Sequence, residues 1–368
     1  VSVANAIRRT ILTDIPIVVI RTETSKINNC TVLANTSRFH NEIIKQRLSC
    51  VPIFTQDLEN FPEKYRLIVN VQNESDNEMR WVTTDDFQLQ DKENETILDK
   101  TETVKIFPHG EKGNRPIDFL RLRPSIGSTI PGEQIHLTAE FDVCTAKVNG
   151  MFNAVSKCAY FNVIDSETRE NVWAIHLQRL KNQNKTEEEI KFEYKNFMNL
   201  DAYRCYKVNK QGEPNEFEFV IKTIGQYSNQ QIVYKACDIL VRKLLSFVSQ
   251  VQSEVVPIHK STESRDNGYT SVTISSIENS YDIILENEDY TLGLLLEYML
   301  HLLFYNEETP LTFIGFKKYH PHDDYSVIRM AYNYGASGHL LTRQYLIEAS
   351  AKLQKILETI RDKFKGGS

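Results

Sequence analysis

Two imidazoles and two carboxylates fall within five residues at His320-Pro-His322-Asp323-Asp324, ligand types that zinc or a hard cation would use. Pro321 separates the histidines, and the cluster lies between two expected strands, so it reads as an exposed polar loop. Gly127-Ser-Thr-Ile-Pro-Gly132 has the glycine spacing of a phosphate-cradling loop. Glu133-Gln134 follow where Lys and Ser or Thr are needed, and a carboxylate there repels phosphate, which leaves a β-turn. Gly335-Ala-Ser-Gly338 brings its second glycine one residue too early for a nucleophile elbow. Asp85-Asp86 is an acidic pair without the further carboxylates that hold two metal ions for nucleotidyl transfer. The six cysteines, at 30, 50, 144, 158, 205 and 237, contain no CxxC pair, and the nine histidines no HExxH. The expectation is therefore no catalytic residue, no metal and no cofactor.

The elements that carry these residues follow from composition and pattern. The 368 residues include 43 Lys+Arg and 49 Asp+Glu, a net charge of −6, with 41% hydrophobic and 25% charged residues. That is ordinary for a globular protein of two or three domains. The mild acidity removes the electrostatic footprint of an autonomous nucleic-acid-binding domain. No apolar run reaches the roughly 18 residues of a membrane span, and no signal peptide is visible, so free buried thiols in a reducing compartment are expected. Gly366-Gly367-Ser368 reads as a cloning remnant, and a helical start without an initiator Met implies upstream sequence.

Apolar residues at Val3, Ile7 and Ile11 predict a helix over 2–13, ended by Pro16 and followed by a buried strand at 17–20. A short helix is expected at 41–48. From 54 to 156, strand-like runs at 65–71, 103–107 and 134–141 alternate with turn-forming residues, a mainly β texture. Further strands are expected at 159–164 and 216–224, and 182–195 is an exposed helix or a loop. Residues 229–251 keep one apolar face for about six turns. The polar stretch 254–271 reads as a linker. Beyond it, strands at 270–277, 280–285, 313–316 and 326–332 accompany helices capped by Asp289 or Thr291 and spanning 339–363. The fold class is α+β.

The opening Ser2-Val-Ala-Asn5-Ala-Ile-Arg8-Arg9-Thr-Ile-Leu-Thr-Asp14-Ile-Pro16 resembles the signature of the α-like subunits of cellular RNA polymerases, the bacterial α subunit, archaeal D and the eukaryotic third subunit. The resemblance continues at His40 to Pro52, in the block 126–152, at Phe217 to Gly225 and at Ile232 to Leu240. Glu288-Asp289-Tyr-Thr291-Leu292-Gly293 and Phe313-Ile-Gly315-Phe-Lys-Lys-Tyr-His320-Pro321 are similar to the smaller partner, archaeal L or the eukaryotic eleventh subunit. Both partners in order on one chain resemble the fused subunit of large nucleocytoplasmic DNA viruses, such as the mimivirus- and asfarvirus-like groups. The insertion lacks the cysteine-rich zinc loop of many cellular third subunits, the cysteines do not suit an iron–sulfur cluster, and 182–195 has no counterpart.

The resemblance implies two dimerisation folds paired within one chain, plus a mainly β insertion domain. Residues 1–53 and 157–253 would form the third-subunit-like domain, 54–156 the insertion, 254–271 a linker and 272–365 the eleventh-subunit-like domain, with 366–368 the remnant. It implies a non-catalytic assembly platform for a DNA-directed RNA polymerase, found in the host cytoplasm and virion if viral and otherwise nuclear. Its partners would be the largest and second-largest subunits and small zinc-ribbon subunits, with no base-specific nucleic-acid contact and no membrane. Asn5, Arg8 and Arg9 would face a large subunit, and Arg47, Leu48 and Pro52 a small one. The intramolecular seam would use Ile7, Ile11, Ile239, Leu240, Leu244, Leu292, Gly293, Leu296, Met299, Leu353, Ile356 and Leu357. A free-standing homodimeric or regulatory interaction protein with the same fold is the other reading.

Overall fold

Alternating and helix-spaced apolar residues resolve into mixed helix and sheet in a computed structural model, which describes residues 1–110, 113–127, 129–261, 275–333 and 338–366. The chain divides into two units. One gathers Val1–Arg9, Lys157–Ile221 and Leu240–Glu358; the other gathers Thr10–Ser156, Lys222–Ile239 and Thr359–Ser368.

The first elements are α1 (Ser2–Thr13), β1 (Ile17–Val19), β2 (Cys30–Asn35), α2 (Asn41–Ser49), α3 (Asn60–Lys64) and β3 (Tyr65–Gln72). They continue as β4 (Arg80–Thr83), β5 (Gln88–Asp91), α4 (Lys100–Ile106), β6 (Asp118–Leu122), β7 (Gln134–Glu140) and β8 (Asp142–Cys144). One sheet runs β2-β7-β3-β5, while β4 pairs with β6 and β1 with β8. The register Leu67↔Ala139, Val69↔Leu137, Val71↔Ile135 sets buried positions opposite one another. Period-two alternation thus turns one face of β3 and β7 into the core. Ile44, Leu48, Phe61 and Phe119 join that core. Phe87 meets Phe107 and Phe119 edge-on, with ring centroids 5.3 and 5.5 Å apart. β2 comes from within residues 1–53 yet pairs with β7.

The strand expected at 103–107 is instead the helix α4. Its β-branched residues suit a strand in isolation. The buried positions are Thr103 and Phe107, four apart, which is helical spacing. The Ile106 carbonyl accepts from the Phe54 backbone N–H at 2.8 Å.

Next come β9 (Val155–Asn162), α5 (Ser166–Asn182), α6 (Glu187–Asn199), β10 (Phe217–Thr223) and α7 (Asn229–Gln252). The strand expected at 159–164 begins four residues earlier, and β9 pairs with β10. Residues 182–195 belong to a helical pair, α5 and α6. Asp165 caps α5 through the N–H groups of Glu167 and Thr168, and Thr186 with Glu189 forms a capping box on α6. Phe197, Ala202 and Cys205 make a small core under Trp173.

The last elements are β11 (Ile258–Lys260), β12 (Ser280–Glu286), α8 (Tyr290–Phe304), β13 (Leu311–Lys317), β14 (Tyr325–Tyr332) and α9 (Gly338–Lys363). Their strands form one antiparallel sheet in the order β11-β12-β14-β13. The stretch read as a linker therefore contains an edge strand, β11, whose Ile258 is buried beside Ile283. Residues 275–277 are not strand, and 262–274 lie outside the described residues, as does most of Gly335 to Gly338. α8 packs on β13 and β14, burying Leu292, Leu295, Leu296 and Met299. α9 buries Leu346, Ala349, Leu353 and Leu357 at helical spacing.

Candidate functional site

α1 presents its polar residues in two different ways. Arg8 donates from Nε and Nη2 to Asn5 Oδ1, at 3.1 and 2.8 Å, one turn away. Arg9 reaches α8: Nε donates to Thr291 Oγ1 at 2.9 Å and Nη2 to Asp289 Oδ2 at 2.8 Å. Asp289 is also the N-cap of α8, where Oδ1 accepts from the Thr291 N–H at 2.8 Å. One carboxylate thus caps a helix and holds a guanidinium. Burial pushes the Asp289 carboxyl up, but hydrogen bonds from Thr291 and the Arg9 charge outweigh it, so it ends below its ordinary value.

Behind the cap, a Cβ on Gly293 would stand 1.9 Å from Phe316 Cε2. Only a glycine lets β13 approach α8 this closely. Glu297 Oε1, one turn on, accepts from the Phe316 N–H at 3.0 Å. On the other side, Lys243 of α7 lies 3.8 Å from Glu288. Lys243, Phe247 and Gln250 close a cavity of about 110 Å³ with Leu285, Glu288 and Leu292. Arg343 Nη1 of α9 donates to the Val251 carbonyl at 2.5 Å, near the end of α7. Arg361 Nη1 donates to Asp238 Oδ1 at 3.2 Å.

Of the apolar residues expected at the seam, Ile7, Ile11, Leu240, Leu244, Leu292, Leu296, Met299, Leu353 and Leu357 are buried, and so is Gly293. Ile239 and Ile356 are half-buried. Arg47, Leu48 and Pro52 do not share one surface. Leu48 is 0% exposed, inside the core of the four-stranded sheet. Pro52 is half-buried. Arg47 is exposed, but its guanidinium donates to the carbonyls of Phe119 and Asp118, at 2.7 and 3.2 Å.

The remaining chemistry-bearing groups have local partners. Asp85 Oδ1 accepts from His109 Nε2 at 2.8 Å in the tautomer that carries the proton there, and Asp86 completes a capping box with Thr83. Glu133 is buried, and its carboxylate accepts from the Arg123 backbone and guanidinium. Around the exposed His320 and His322, backbone N–H groups donate to Asp323 Oδ2 and His320 Nδ1 within a turn.

Sequence reading missed one buried polar centre. Asp282 on β12, 0% exposed, accepts from Arg329 Nε at 2.6 Å, Arg329 Nη2 at 2.9 Å and Ser261 Oγ at 2.7 Å. Asp282 and Arg329 are register partners across β12 and β14. A lone acid in Tyr281-Asp-Ile-Ile-Leu285 and a lone base in Val327-Ile-Arg-Met330 were the available signal.

Residues 1–244 match the family model of the RNA polymerase Rpb3/Rpb11 dimerisation domain. The matched span ends within α7. No curated protein matches the chain.

Proposed function

The chain belongs to the RNA polymerase Rpb3/Rpb11 dimerisation family, and from that premise we propose a non-catalytic assembly platform of a multisubunit DNA-directed RNA polymerase that carries both α-like halves. One observation carries the reading: α1, at the start of the sequence, reaches the start of α8. Arg9 of α1 holds Asp289 and Thr291, and α9 reaches the end of α7 through Arg343. In this reading the seam pairs a third-subunit-like half with an eleventh-subunit-like half, as in the fused subunits of large DNA viruses. In this reading the apolar faces of α7, α8 and α9 meet in an obligate, core-like interface, a class that buries on the order of 2,000 Å² or more. Carrying both halves on one chain fixes their stoichiometry and raises their effective concentration to the order of millimolar.

The outward role belongs to Asn5 and Arg8. Both are half-buried, and Nη1 of Arg8 is without a partner among the described residues. A guanidinium fork oriented by a neighbour suits a carboxylate or carbonyl on a large catalytic subunit. Arg9, bound to Asp289, belongs to the seam instead. The site of action would be a viral factory in host cytoplasm and the virion, or the nucleus for a cellular enzyme.

The test is co-expression with the two largest polymerase subunits, followed by size exclusion. The chain should co-elute with both, and Arg8→Glu should weaken the complex at least tenfold, about 1.4 kcal/mol, without shifting the thermal midpoint of the chain alone. Failure of the wild-type chain to co-elute overturns the reading.

A further inference from the structure

We propose that the outer face of the β4–β6 ribbon is a docking groove for an acidic linear segment of a partner protein that carries an apolar anchor. Arg38, Phe39, Arg47, Met79, Trp81 and Arg121 line a groove of about 370 Å³ together with Leu120 and Arg123. The chain as a whole is acidic, at −6, yet no carboxylate is among the residues lining this groove.

The ribbon's register builds the face. Trp81 pairs across from Arg121, while Val82 and Leu120 turn into the core. Alternation therefore leaves Trp81 and its neighbour Met79 each 51% exposed. The Arg121 guanidinium lies over the Trp81 ring, 4.6 Å from its centroid, and Arg47 lies 5.8 Å from that of Phe39. These stacks hold the guanidinium groups in place while leaving donors for a ligand. Arg38 and Arg121 have no ion-pair partner among the described residues. Arg47 caps the Asp118 and Phe119 carbonyls of β6, which opposes addition of a strand there. Recognition is therefore through side chains.

Trp and Arg with an adaptable Met are the chemistry of binding hot spots. Carboxylates on the ligand would take the two unpaired guanidinium forks, and an aliphatic or aromatic residue would lie against Met79 and Trp81. A nucleic-acid strand fits less well. Two unpaired cations neutralise about two phosphates, a salt slope of only about −1.4 for a single strand, and the net negative chain repels a long polyanion.

The test uses the full chain alone, so it is separate from co-assembly with polymerase subunits. Fluorescence anisotropy follows three labelled probes: a short peptide of Asp and Glu around one Phe and one Leu, its Asn and Gln counterpart, and oligothymidylate. The acidic peptide should bind with a micromolar Kd, and the other two at least tenfold more weakly. Arg38→Glu with Arg121→Glu should weaken acidic-peptide binding at least tenfold, as should Trp81→Ala. Should the double reversal shift the thermal midpoint, Arg38→Gln with Arg121→Gln provides the same comparison. Tighter binding of oligothymidylate, no binding of the acidic peptide, or binding indifferent to the arginine substitutions overturns the proposal.

Discussion

Arg9 and Asp289 show how one ion pair can do two jobs. The carboxylate caps α8 with one oxygen and holds the α1 guanidinium with the other. Arg9→Ala is expected to destabilise by about 1–2 kcal/mol, because the pair is partly exposed and screening limits its Coulombic share. The pH dependence follows from the lowered Asp289 carboxyl. A depressed folded-state value gives stability that is fully present above the unfolded value of about 3.9 and is lost as pH falls through the folded one. The gap in unfolding free energy between wild type and Asp289→Asn should stay level at neutral pH and shrink below about pH 4; denaturant melts at each pH read it, and a gap that widens on acidification would contradict this account. Asp282 is the sterner case, since it is fully buried. Arg329→Leu takes both guanidinium hydrogen bonds from that buried carboxylate, and should cost about 3–5 kcal/mol. Asp282→Leu combined with Arg329→Met removes both charges and should recover most of that loss in the same thermal melts. Residues of this kind were poorly legible in the sequence. A lone charge in an apolar run shows that it needs a partner, but not which strand supplies it.

Elements were legible where their own pattern decided them. The apolar stripes of α7 and α9 and the alternation of β3 and β7 each specify a buried face. α4 was misread because Thr103-Val-Lys-Ile suits a strand until tertiary burial selects Thr103 and Phe107 together. α5 escaped because its face is mostly exposed, with Leu180 its buried residue. The better signals there were the Asp165 cap and the Thr186-Glu-Glu-Glu189 box. β11 was hidden because three residues in a polar stretch form a strand only when β12 lies beside them. Gly293 is the position where helix and sheet constrain each other most. Gly293→Ala must displace the Phe316 ring, and should cost about 1–3 kcal/mol despite alanine's better helix propensity. Co-substitution Phe316→Leu should restore part of that loss. A Gly293→Ala melt equal to or above wild type would show that α8 and β13 are not held at this spacing.

At the scale of the whole molecule, the family match spans residues 1–244. The case for a second α-like half rests on the resemblance around Asp289 to Gly293 and Phe313 to Pro321, and on what those residues touch. Of Asp289 and Thr291, the two caps read from the sequence, Asp289 is the one observed, and Gly293 admits a close approach of β13 to α8. The partner of Arg9 was not legible, because nearly three hundred residues separate it from Asp289 in sequence, a separation of 280. The most direct measurement is to place a protease site within 262–268, cut it, and follow the two pieces by analytical ultracentrifugation at low micromolar concentration. A seam between the proposed halves predicts one sedimenting species of the original mass, split only by denaturant or weakened by Arg9→Glu. Two folded species that separate on cutting would contradict it.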